Sequence, residues 1–572
     1  MTTRKEYRWK ISTPPPQETV QKLSEELTLP PSLISVLVNR GIDDFEKARH
    51  YFRPSAEFLH DPFLMDDMHK AVERLLNALR DKEKIVVYGD YDVDGTNGAS
   101  MLYLYFKEIG CDASYYIPDR IKEGYGISHN GIDRAKEVGA TLLVSIDCGI
   151  TAVEQVEYAR SLGIEVIICD HHEPSHVIPA AVAVLDPLKP TCHYPFKYLC
   201  GCGVGFKFIQ AIARTLGDEA PIFNYLDFVA LASTADIVPL IDENRILVKL
   251  GLELINSNPR PGILALLEGA GVKIGTMNTG QVVFIIAPRI NAVGRLGNAM
   301  RAVELLITKE YSSALEFARV LEQENLNRRK IDEEVFIHAQ ELVEDYLKAD
   351  GGDSAIILHQ EQWHPGVVGI VASRMVEKYY RPAIMMTTVD GVAKGSARSI
   401  AGFNIHSALK RVEDKLLQFG GHKYAAGLSV DIDRLDEFKE AFNAVVKELL
   451  TEDLLTPEID IDAEIDLTEL TPKYIRVLKQ FAPFGPKNMR PMFIARNVEI
   501  ASTPKIVGKD HLRMKIKQSR VTLDSIGFNL GHLRERIKPH IKSYDIVFSV
   551  DENDYAGVQL TQLKLKDLRP SD

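Results

Sequence analysis

The sequence predicts an α/β protein with two α/β domains joined by a long helical connector and followed by a C-terminal β-barrel. Three patterns in the 572 residues indicate this fold class. Short apolar runs alternate with segments of helical periodicity in residues 76–300, which is typical of a parallel sheet, and a second α/β pattern follows in 351–452. Residues 301–350 are charged and helix-favouring and contain neither glycine nor proline. Residues 456–572 are strand-like and interrupted by turns.

The composition is that of an ordinary globular protein. Apolar residues make up 45% of the chain and charged residues 26%, which argues against long disorder. Six cysteines in a chain of this length exclude a disulfide-stabilised scaffold. Residues 1–10 are polar and charged, and no apolar run approaches the length of a membrane span. We therefore expect no signal peptide, no membrane segment and a cytoplasmic location.

The first α/β domain follows a region, residues 1–75, that is predicted to be helical, with three prolines at 14–16 as an early break. Helical periodicity at 98–107 and 152–161 predicts two of the crossover helices that parallel strands need. The strands themselves are predicted at four short apolar runs, residues 84–88, 141–146, 165–169 and 182–185.

A polar, mostly acidic segment follows each of these strands. The residues concerned are Asp90, Asp92 and Asp94 after the first strand, Asp147 after the second, Asp170, His171 and His172 after the third and Asp186 after the fourth. Because the carboxyl ends of parallel strands meet at one edge of a sheet, we expect these side chains to converge. Clustered carboxylates repel one another, and a divalent cation removes that cost. Oxygen and imidazole ligands suit Mn²⁺ or Mg²⁺, and two such ions can activate water and hold a phosphoryl group.

Two simpler interpretations compete with a metal site. A single aspartate after a strand is commonly the N-cap of the next helix, and this alternative stays open for each residue taken alone. The spacing Asp90, Asp92, Asp94, Gly95 is also found at the start of a calcium-binding loop, which requires glutamate at its twelfth position. The twelfth residue from Asp90 is Met101, which excludes the calcium loop.

The second α/β domain combines predicted strands at 354–359 and 383–387 with a helix at 366–378. Two further segments are rich in small residues. Residues 395–399 are predicted to form a polar loop carrying one arginine, and 419–427 a glycine-rich turn. Backbone N–H groups of adjacent glycines and the guanidinium of an arginine suit a phosphate. The alternative is a pair of tight turns with a surface arginine.

The C-terminal module is basic, although the whole chain has a net charge of −12. Residues 481–572 contain 16 Lys and Arg against 10 Asp and Glu. Alternation in 511–518 places apolar side chains on one face of a strand and Arg513, Lys515 and Lys517 on the other. A basic, strand-rich module fits an OB-fold, which binds single strands through a basic groove and through aromatic side chains that stack on bases. The alternative is a solvated sheet face.

Segments around the predicted cluster resemble the DHH phosphoesterase superfamily, and within it the single-strand-specific exonucleases. They are Asp92-Val93-Asp94-Gly95, Asp170-His171-His172, residues 235–240 (ADIVPL) and residues 288–295 (PRINAVGR). The resemblance extends from about residue 86 to residue 430, and more loosely to the C-terminus. It implies a DHH catalytic domain at 76–300, a DHHA1 substrate-binding domain at 351–452 and an OB-like nucleic-acid-binding domain at 456–572.

The same resemblance implies roles for individual residues. Asp90 and His172 would be catalytic, as ligands or as partners that orient the ligands. From the sequence alone, Asp236 is more readily explained as the end of a helix, and the arginines as members of surface ion pairs. The implied metal ligands are Asp92, Asp94, Asp147, His171 and Asp236. The implied substrate-binding residues are Arg120, Arg289, Arg295, Arg398, Ser399, Gly420, Gly421 and His422.

The resemblance also implies a function. The expected activity is 5′-to-3′ hydrolysis of single-stranded DNA to 5′-mononucleotides in DNA repair and recombination, with two Mn²⁺ or Mg²⁺ ions as cofactors. Single-strand-binding protein and a helicase are expected partners, and a monomer is expected. Two alternatives stay open: a phosphodiesterase for short oligonucleotides or cyclic dinucleotides, and a non-catalytic DNA-binding scaffold. The basic C-terminal module favours a polymeric substrate, and the complete ligand set disfavours the scaffold.

Overall fold

The computed structural model describes residues 6–120, 122–349, 355–539, 543–555 and 558–571. The chain forms two compact units. The smaller unit contains Met1–Lys10 and Gln323–Ile459, and the larger unit contains Ile11–Glu322 and Asp460–Asp572. Among the described residues, no helix combines the length and the apolarity that crossing a membrane requires.

A short strand and four helices precede the first sheet. Helix N-termini in this region carry the expected signals: proline occupies the first position of the second helix, and the Asp44 carboxylate accepts the Lys47 N–H at the start of the third. The elements are β1 (Arg8–Ile11), α1 (Gln17–Leu27), α2 (Pro31–Asn39), α3 (Phe45–Phe52) and α4 (Met68–Arg80), with 3-10 helices at Ala56–Phe58 and Pro62–Leu64.

The first sheet has five parallel strands, which confirms the predicted parallel architecture. Alternate residues of the second strand of the chain face opposite layers: Ile85 and Val87 pack with one hydrophobic cluster, and Val86 and Tyr88 with the other. The elements are β2 (Lys84–Gly89), α5 (Val93–Glu108), β3 (Asp112–Tyr116), α6 (His129–Glu137), β4 (Leu142–Ile146), α7 (Val153–Ser161), β5 (Glu165–Cys169) and β6 (Ala183–Leu185), with the strand order 3-2-4-5-6.

One strand of this sheet, β3, was not predicted. It lies at the edge of the sheet, and its sequence DASYY has no apolar run, because alternate side chains are exposed. The periodicity of buried residues therefore gave no signal there.

Helices dominate the rest of the larger unit and continue into the predicted connector. The last of them, 39 residues long, confirms a helical connector. The elements are α8 (Gly201–Leu216), α9 (Leu226–Ala235), α10 (Asp242–Ser257), α11 (Pro261–Gly269), α12 (Thr279–Gln281), α13 (Ala287–Leu296), α14 (Met300–Ile307) and α15 (Tyr311–Ala349), with a 3-10 helix at Ala220–Tyr225 and a π-helix at Val282–Ile286.

The smaller unit contains a five-stranded mixed sheet in the order 10-11-9-8-7. Only β7 and β8 run parallel, and the remaining neighbours are antiparallel. The elements are β7 (Ile356–His359), α16 (Val368–Tyr379), β8 (Ala383–Val389), β9 (Val392–Arg398), α17 (Ile405–Lys410), β10 (Gln418–His422), β11 (Ala425–Asp431) and α18 (Leu435–Leu449), with 3-10 helices at Glu413–Lys415, Ile432–Arg434 and Glu452–Leu455.

Two segments of this sheet correct the sequence-based expectation of loops. Residues 395–398 lie in β9, and the glycines of 419–427 lie in β10 and β11, with the turn at Lys423 and Tyr424. Two of these glycines are crowded by neighbouring strands, because a Cβ on Gly395 would lie 2.4 Å from the Met386 side chain of β8 and a Cβ on Gly421 2.4 Å from the Ala425 carbonyl oxygen of β11. At these two positions glycine indicates close packing between strands and not a turn.

The C-terminal residues form the predicted barrel. Five strands close on themselves in the order 14-18-19-17-16, because β14 pairs with both β18 and β16. In β16 the apolar side chains are buried, and Arg513 and Lys515 are exposed, as predicted. The elements are β12 (Glu458–Ile461), β13 (Ala463–Glu464), α19 (Pro472–Lys479), β14 (Phe493–Ile500), β15 (Lys505–Val507), β16 (His511–Gln518), β17 (Val521–Gly527), β18 (Ser543–Tyr555) and β19 (Val558–Pro570), with 3-10 helices at Leu467–Glu469 and Gly531–Arg536.

Within the larger unit, the N-terminal helices share a hydrophobic core with this barrel. Leu33 and Leu37 of α2 pack in one cluster with Phe481 and Phe548. The buried guanidinium of Arg245 donates hydrogen bonds to backbone carbonyls of α3 and of the segment after α19. These contacts fix the barrel against the helices that follow the first sheet.

Candidate metal centre

Acidic and imidazole side chains converge at the carboxyl edge of the first sheet. Their potential ligand atoms lie within 4.8 Å of one another in three overlapping groups. The groups are Asp90, Asp92 and Asp147; Asp94, His171 and Asp236; and Asp147, His171 and His172. Every residue implied as a ligand is therefore brought into this cluster, together with Asp90 and His172.

The chemistry of these groups fits divalent cations. Nε2 of His171 lies 3.2 Å from the Asp147 carboxylate and 3.8 Å from the carboxylates of Asp94 and Asp236. Oδ1 of Asp90 is buried and has no hydrogen-bond partner among the described residues. One group offers only carboxylate oxygens, and a second offers two carboxylates and one imidazole, which suits Mn²⁺ or Mg²⁺.

The turn from β2 into α5 places three of the carboxylates. Asp92 caps α5 by accepting the N–H of Asp94 at 2.8 Å and the N–H of Gly95 at 3.2 Å. The capping alternative is thus correct for Asp92, and its side chain also belongs to the cluster. A Cβ on Gly95 would lie 2.5 Å from the backbone of Asp90, so only glycine permits this tight turn.

The N-terminus of α8 holds Asp94 from the opposite side. The backbone N–H groups of Gly201 and Cys202 each donate to the Asp94 carboxylate at 2.7 Å. A Cβ on Gly201 would lie 2.6 Å from Cβ of Asp147, so this glycine allows α8 to approach two carboxylates at once. Close packing at Gly201 is visible in the sequence, but the predicted site did not include this glycine.

Asp147 adopts a left-handed backbone conformation with φ of 63°. Its N–H donates to the Cys169 carbonyl at 2.9 Å, and its own carbonyl accepts the Tyr125 hydroxyl at 3.1 Å. Such a conformation is unfavourable for a non-glycine residue and persists where surrounding contacts enforce it. The strand end is thereby shaped to direct the Asp147 side chain towards His171.

Asp170 organises the histidine pair and was given no role in the predicted site. Its buried carboxylate lies 2.7 Å from Nδ1 of His172 and accepts the backbone N–H of His171 at 2.8 Å and of Ile150 at 2.9 Å. Asp170 orients the imidazole of His172 instead of offering a ligand itself.

The electrostatics of the cluster favour cation binding. Burial and neighbouring carboxylates raise the pKa of Asp90, Asp147 and Asp236 well above the ordinary value. Burial, together with the charge of Asp92, raises the pKa of Asp94 to about 7. Burial would lower the pKa of His172, but the hydrogen bond to Asp170 and the surrounding carboxylates outweigh it and raise the pKa to about 9.

Asp186 does not join the cluster, which corrects the expectation for the fourth strand. Its carboxylate accepts the Leu188 N–H of the following turn at 2.7 Å, and it belongs to none of the candidate groups among the described residues. Asp236 is the opposite case: it caps the C-terminus of α9, as a helix end would, and its carboxylate also belongs to the cluster.

Two of the three predicted phosphate-binding arginines of the larger unit lie beside the cluster. The guanidinium of Arg120 stacks 4.9 Å from the ring centre of Tyr91, which separates Asp90 from Asp92 in sequence. Arg295 follows Gly294, which packs against the Tyr91 carbonyl. Arg289 is buried instead, and its guanidinium donates to Glu322 and to the Ile285 carbonyl.

The predicted substrate-binding residues of the smaller unit lie in strands β9 and β10 or, for Ser399, directly after β9. Nη1 of Arg398 donates to the Ser396 hydroxyl at 2.7 Å, and the guanidinium lies beside Gly369 in the first turn of α16. The Ser399 hydroxyl donates to the Phe403 carbonyl at 2.8 Å. The other three residues, Gly420, Gly421 and His422, are exposed on the edge strand β10.

An apolar cleft of about 730 Å³ lies next to the cluster in the larger unit. We use this name for the cavity lined by Ile237, Phe284, Phe484, Met489 and Arg490 among others. Ile237 directly follows Asp236 and has φ of 59°, a rare conformation for a β-branched residue. Phe284 is 75% exposed and lies in the π-helix. Exposed apolar side chains and irregular backbone together are typical of a binding surface.

Comparison with known protein families supports the predicted domain types and fold class. Residues 84–233 match the DHH family, N-terminal domain. Residues 352–448 match the DHHA1 domain, and residues 461–567 match the RecJ OB domain. The three matches correspond to the first sheet, the mixed sheet and the barrel.

Individual relatives match almost the whole chain. The single-stranded-DNA-specific exonuclease RecJ of Bacillus subtilis (strain 168) is 38% identical over 569 residues, which cover 99% of this chain and 71% of the relative. The crystal structure of RecJ in complex with Mn²⁺ from Thermus thermophilus has a TM-score of 0.84 and 29% identity and covers 99% of this chain and 80% of that one. The Mg²⁺ complex of RecJ from the same organism has a TM-score of 0.80 and 28% identity, covering 99% and 79%. The chain belongs to the RecJ family.

Proposed function

We propose that this protein is a single-stranded-DNA-specific exonuclease that hydrolyses phosphodiester bonds with two divalent cations, Mn²⁺ or Mg²⁺. The observation that carries the proposal is the convergence of two candidate ligand groups at one sheet edge, in a chain of the RecJ family. The reaction is 5′-to-3′ removal of 5′-mononucleotides, in DNA repair and recombination. Single-strand-binding protein and a helicase are the proposed partners of a cytoplasmic monomer.

The ligand groups suggest how the ions are held. Asp94, His171 and Asp236 would bind one ion, and Asp90, Asp92 and Asp147 the other. Bound divalent ions supply hydroxide from water and stabilise negative charge on a phosphoryl group. The protein orients its own groups beforehand, because the N–H donors at the start of α8 hold the Asp94 carboxylate in place.

We assign His172 a role at the scissile phosphate, supported by its fixed orientation beside the ligand groups. Asp170 fixes its ring through Nδ1, and the ring lies against His171 with centroids 4.5 Å apart. A protonated imidazole in this position donates a hydrogen bond to a phosphate oxygen as charge develops during hydrolysis. This role would explain why the cluster contains an imidazole that is held by a carboxylate.

The proposed direction rests on the arginines beside Tyr91. Arg120 and Arg295 lie next to the cluster and offer guanidinium donors to a terminal 5′-phosphate. Arg289 is also proposed for this role. Its guanidinium would have to break the ion pair with Glu322 in order to bind the phosphate. The residues proposed for the smaller unit, Arg398, Ser399, Gly420, Gly421 and His422, would bind the strand by analogy with the family.

Two surfaces of the larger unit favour a polymeric substrate. The apolar cleft is lined by Ile237, the residue after Asp236, and offers exposed apolar side chains for unpaired bases. On the barrel, Phe528 lies in the turn after β17, is 51% exposed and packs edge-on against His511 of β16, the strand that exposes Arg513 and Lys515. An exposed aromatic ring beside a basic row is the arrangement by which OB-folds bind single strands.

The proposal is tested by digesting single-stranded DNA that carries a 5′ or a 3′ label, in the presence of Mn²⁺. Early release of a labelled mononucleotide from the 5′ end is the expected result. Asp147→Ala should abolish it, whereas Asp133→Ala, a surface substitution on α6, should not. Cleavage of dinucleotides alone would instead favour the short-substrate enzyme. DNA binding without any hydrolysis would favour the scaffold.

A further inference from the structure

We infer that Tyr125 is a positioning residue whose hydroxyl fixes both the backbone of Asp147 and the ring of His172, and thereby maintains the metal-binding geometry. The inference rests on the proposed metal-dependent function. Neither the resemblance nor the predicted site assigned a role to Tyr125, which lies in the loop between β3 and α6.

The first observation is the strained backbone of Asp147. A left-handed conformation is uncommon for a non-glycine residue and is retained where other contacts compensate for its cost. The Tyr125 hydroxyl donates to the Asp147 carbonyl at 3.1 Å. This hydrogen bond fixes the carbonyl of a residue whose φ is 63° and so helps to hold the Asp147 side chain within reach of His171.

The second observation is the position of the same hydroxyl beside His172. Its oxygen lies 3.2 Å from either ring nitrogen, and the two rings meet edge-on with centroids 5.6 Å apart. Asp170 already engages Nδ1 of this histidine at 2.7 Å. Asp170 and Tyr125 therefore restrain the imidazole from two directions, and Tyr125 connects it to the end of β4.

The third observation is that the loop itself is held firmly on both sides of Tyr125. Gly124 and Gly126 have φ of 82° and 89°, conformations that favour glycine and place the tyrosine between them. The buried Tyr88 of β2 donates its hydroxyl to the Gly126 carbonyl at 3.0 Å and accepts the Ser128 N–H at 3.1 Å. The position of the Tyr125 ring is thus set by the sheet.

Glu123 anchors the other side of the loop. Its carboxylate accepts hydrogen bonds from the Tyr116 hydroxyl at 3.0 Å, the Asp119 N–H at 2.8 Å and the Ser128 hydroxyl at 2.6 Å. A carboxylate that accepts three hydrogen bonds holds a loop in one geometry, because each donor would otherwise need another partner. Tyr125 acts on the metal centre through Asp147 and His172 and is not itself proposed to touch the substrate.

The test compares Tyr125→Phe with the unchanged full-length protein by isothermal titration calorimetry with Mn²⁺. Removing the hydroxyl should weaken Mn²⁺ binding about 10- to 100-fold, the usual effect of losing a partner that orients ligands. Binding of single-stranded DNA in EDTA, measured by fluorescence anisotropy, should not change. The matched control is Tyr158→Phe, which removes a surface hydroxyl bonded to Asp133 on α6.

Further variants and outcomes separate this inference from the proposed function. Tyr88→Phe, which releases the loop at Gly126, should weaken Mn²⁺ binding in the same direction. If Tyr125→Phe binds Mn²⁺ as the unchanged protein does, Tyr125 has no positioning role. Equal losses in Tyr125→Phe and Tyr158→Phe would also overturn the inference. If the unchanged protein neither binds Mn²⁺ nor degrades single-stranded DNA, the proposed function fails, and the role of Tyr125 fails with it.

Discussion

Oδ1 of Asp170 lies 2.7 Å from Nδ1 of His172 and fixes the orientation of this imidazole at the candidate metal centre. Burial would raise the pKa of Asp170, but the hydrogen bond and charge of His172 outweigh burial and lower it. The pair therefore remains charged and directional inside the protein. Carboxylates that orient a histidine in this way commonly decide its tautomer and its basicity.

Asp170→Asn should lower kcat on single-stranded DNA by roughly 10- to 100-fold, because the amide cannot stabilise a protonated His172. The pKa of His172 should fall from about 9, and the alkaline limb of the enzyme's pH profile, where the imidazole loses the required proton, should move to lower pH. The measurement is kcat against pH for Asp170→Asn beside Asp133→Asn, a surface control on α6. An unchanged profile would show that Asp170 serves only the fold.

Gly201→Ala should reduce Mn²⁺ affinity by at least about 10-fold, because its Cβ would lie 2.6 Å from Cβ of Asp147 and displace that carboxylate. The matched control is Gly203→Ala in the same helical turn, where a Cβ would meet Leu199 at an ordinary 3.4 Å. Calorimetry with Mn²⁺ on both variants checks the prediction. Similar Mn²⁺ affinities of Gly201→Ala and Gly203→Ala would contradict the proposed clash between a side chain at position 201 and Asp147.

Phe284→Ala should raise KM for long single-stranded DNA about 5- to 10-fold and leave cleavage of a dinucleotide unchanged, since stacking on one aromatic ring contributes on the order of 1–3 kcal/mol. The reason is that only a longer strand extends from the cluster into the apolar cleft. Leu216→Ala, an exposed apolar residue at the end of α8, is the control. A parallel loss on both substrates would exclude the cleft as a base-binding surface.

Asp186→Asn should stabilise the protein increasingly as the pH rises from 5 to 8. Burial raises the pKa of Asp186 to about 8, with a further contribution from the charge of Asp170. Because the folded state keeps this proton to a higher pH than the unfolded state, the carboxyl group lowers stability progressively above its ordinary pKa of about 3.9. Asparagine still accepts the Leu188 N–H and carries no buried charge.

The expected gain for Asp186→Asn is on the order of 1–3 kcal/mol in the free energy of unfolding at pH 8 and close to zero near pH 4. Urea unfolding of the variant and of the unchanged protein at both values measures it. A gain in the free energy of unfolding that is equal at pH 4 and pH 8 would contradict the raised pKa of Asp186.

Local patterns determined much of the architecture. The apolar runs of β2, β4, β5 and β6 and the charged, glycine-free connector identified the parallel sheet and the long helix, because burial and helical periodicity leave a signature within a few residues. Parallel topology then implied that Asp92, Asp147 and His171 meet, since strand ends of one sheet share an edge. The alternation in β16 likewise identified a barrel strand with one basic face.

Tertiary structure alone decided which groups complete the site. Asp236 ends a helix and belongs to a candidate ligand group, whereas Asp186 follows a strand and belongs to none among the described residues, so the strand-end pattern alone selects the wrong one of the two. Tyr125 and Gly201 act through contacts with Asp147, which lies far from Gly201 in sequence. Sequence periodicity reports whether a residue is buried, but the partners of a buried group are set by packing between distant segments, which only the folded chain specifies.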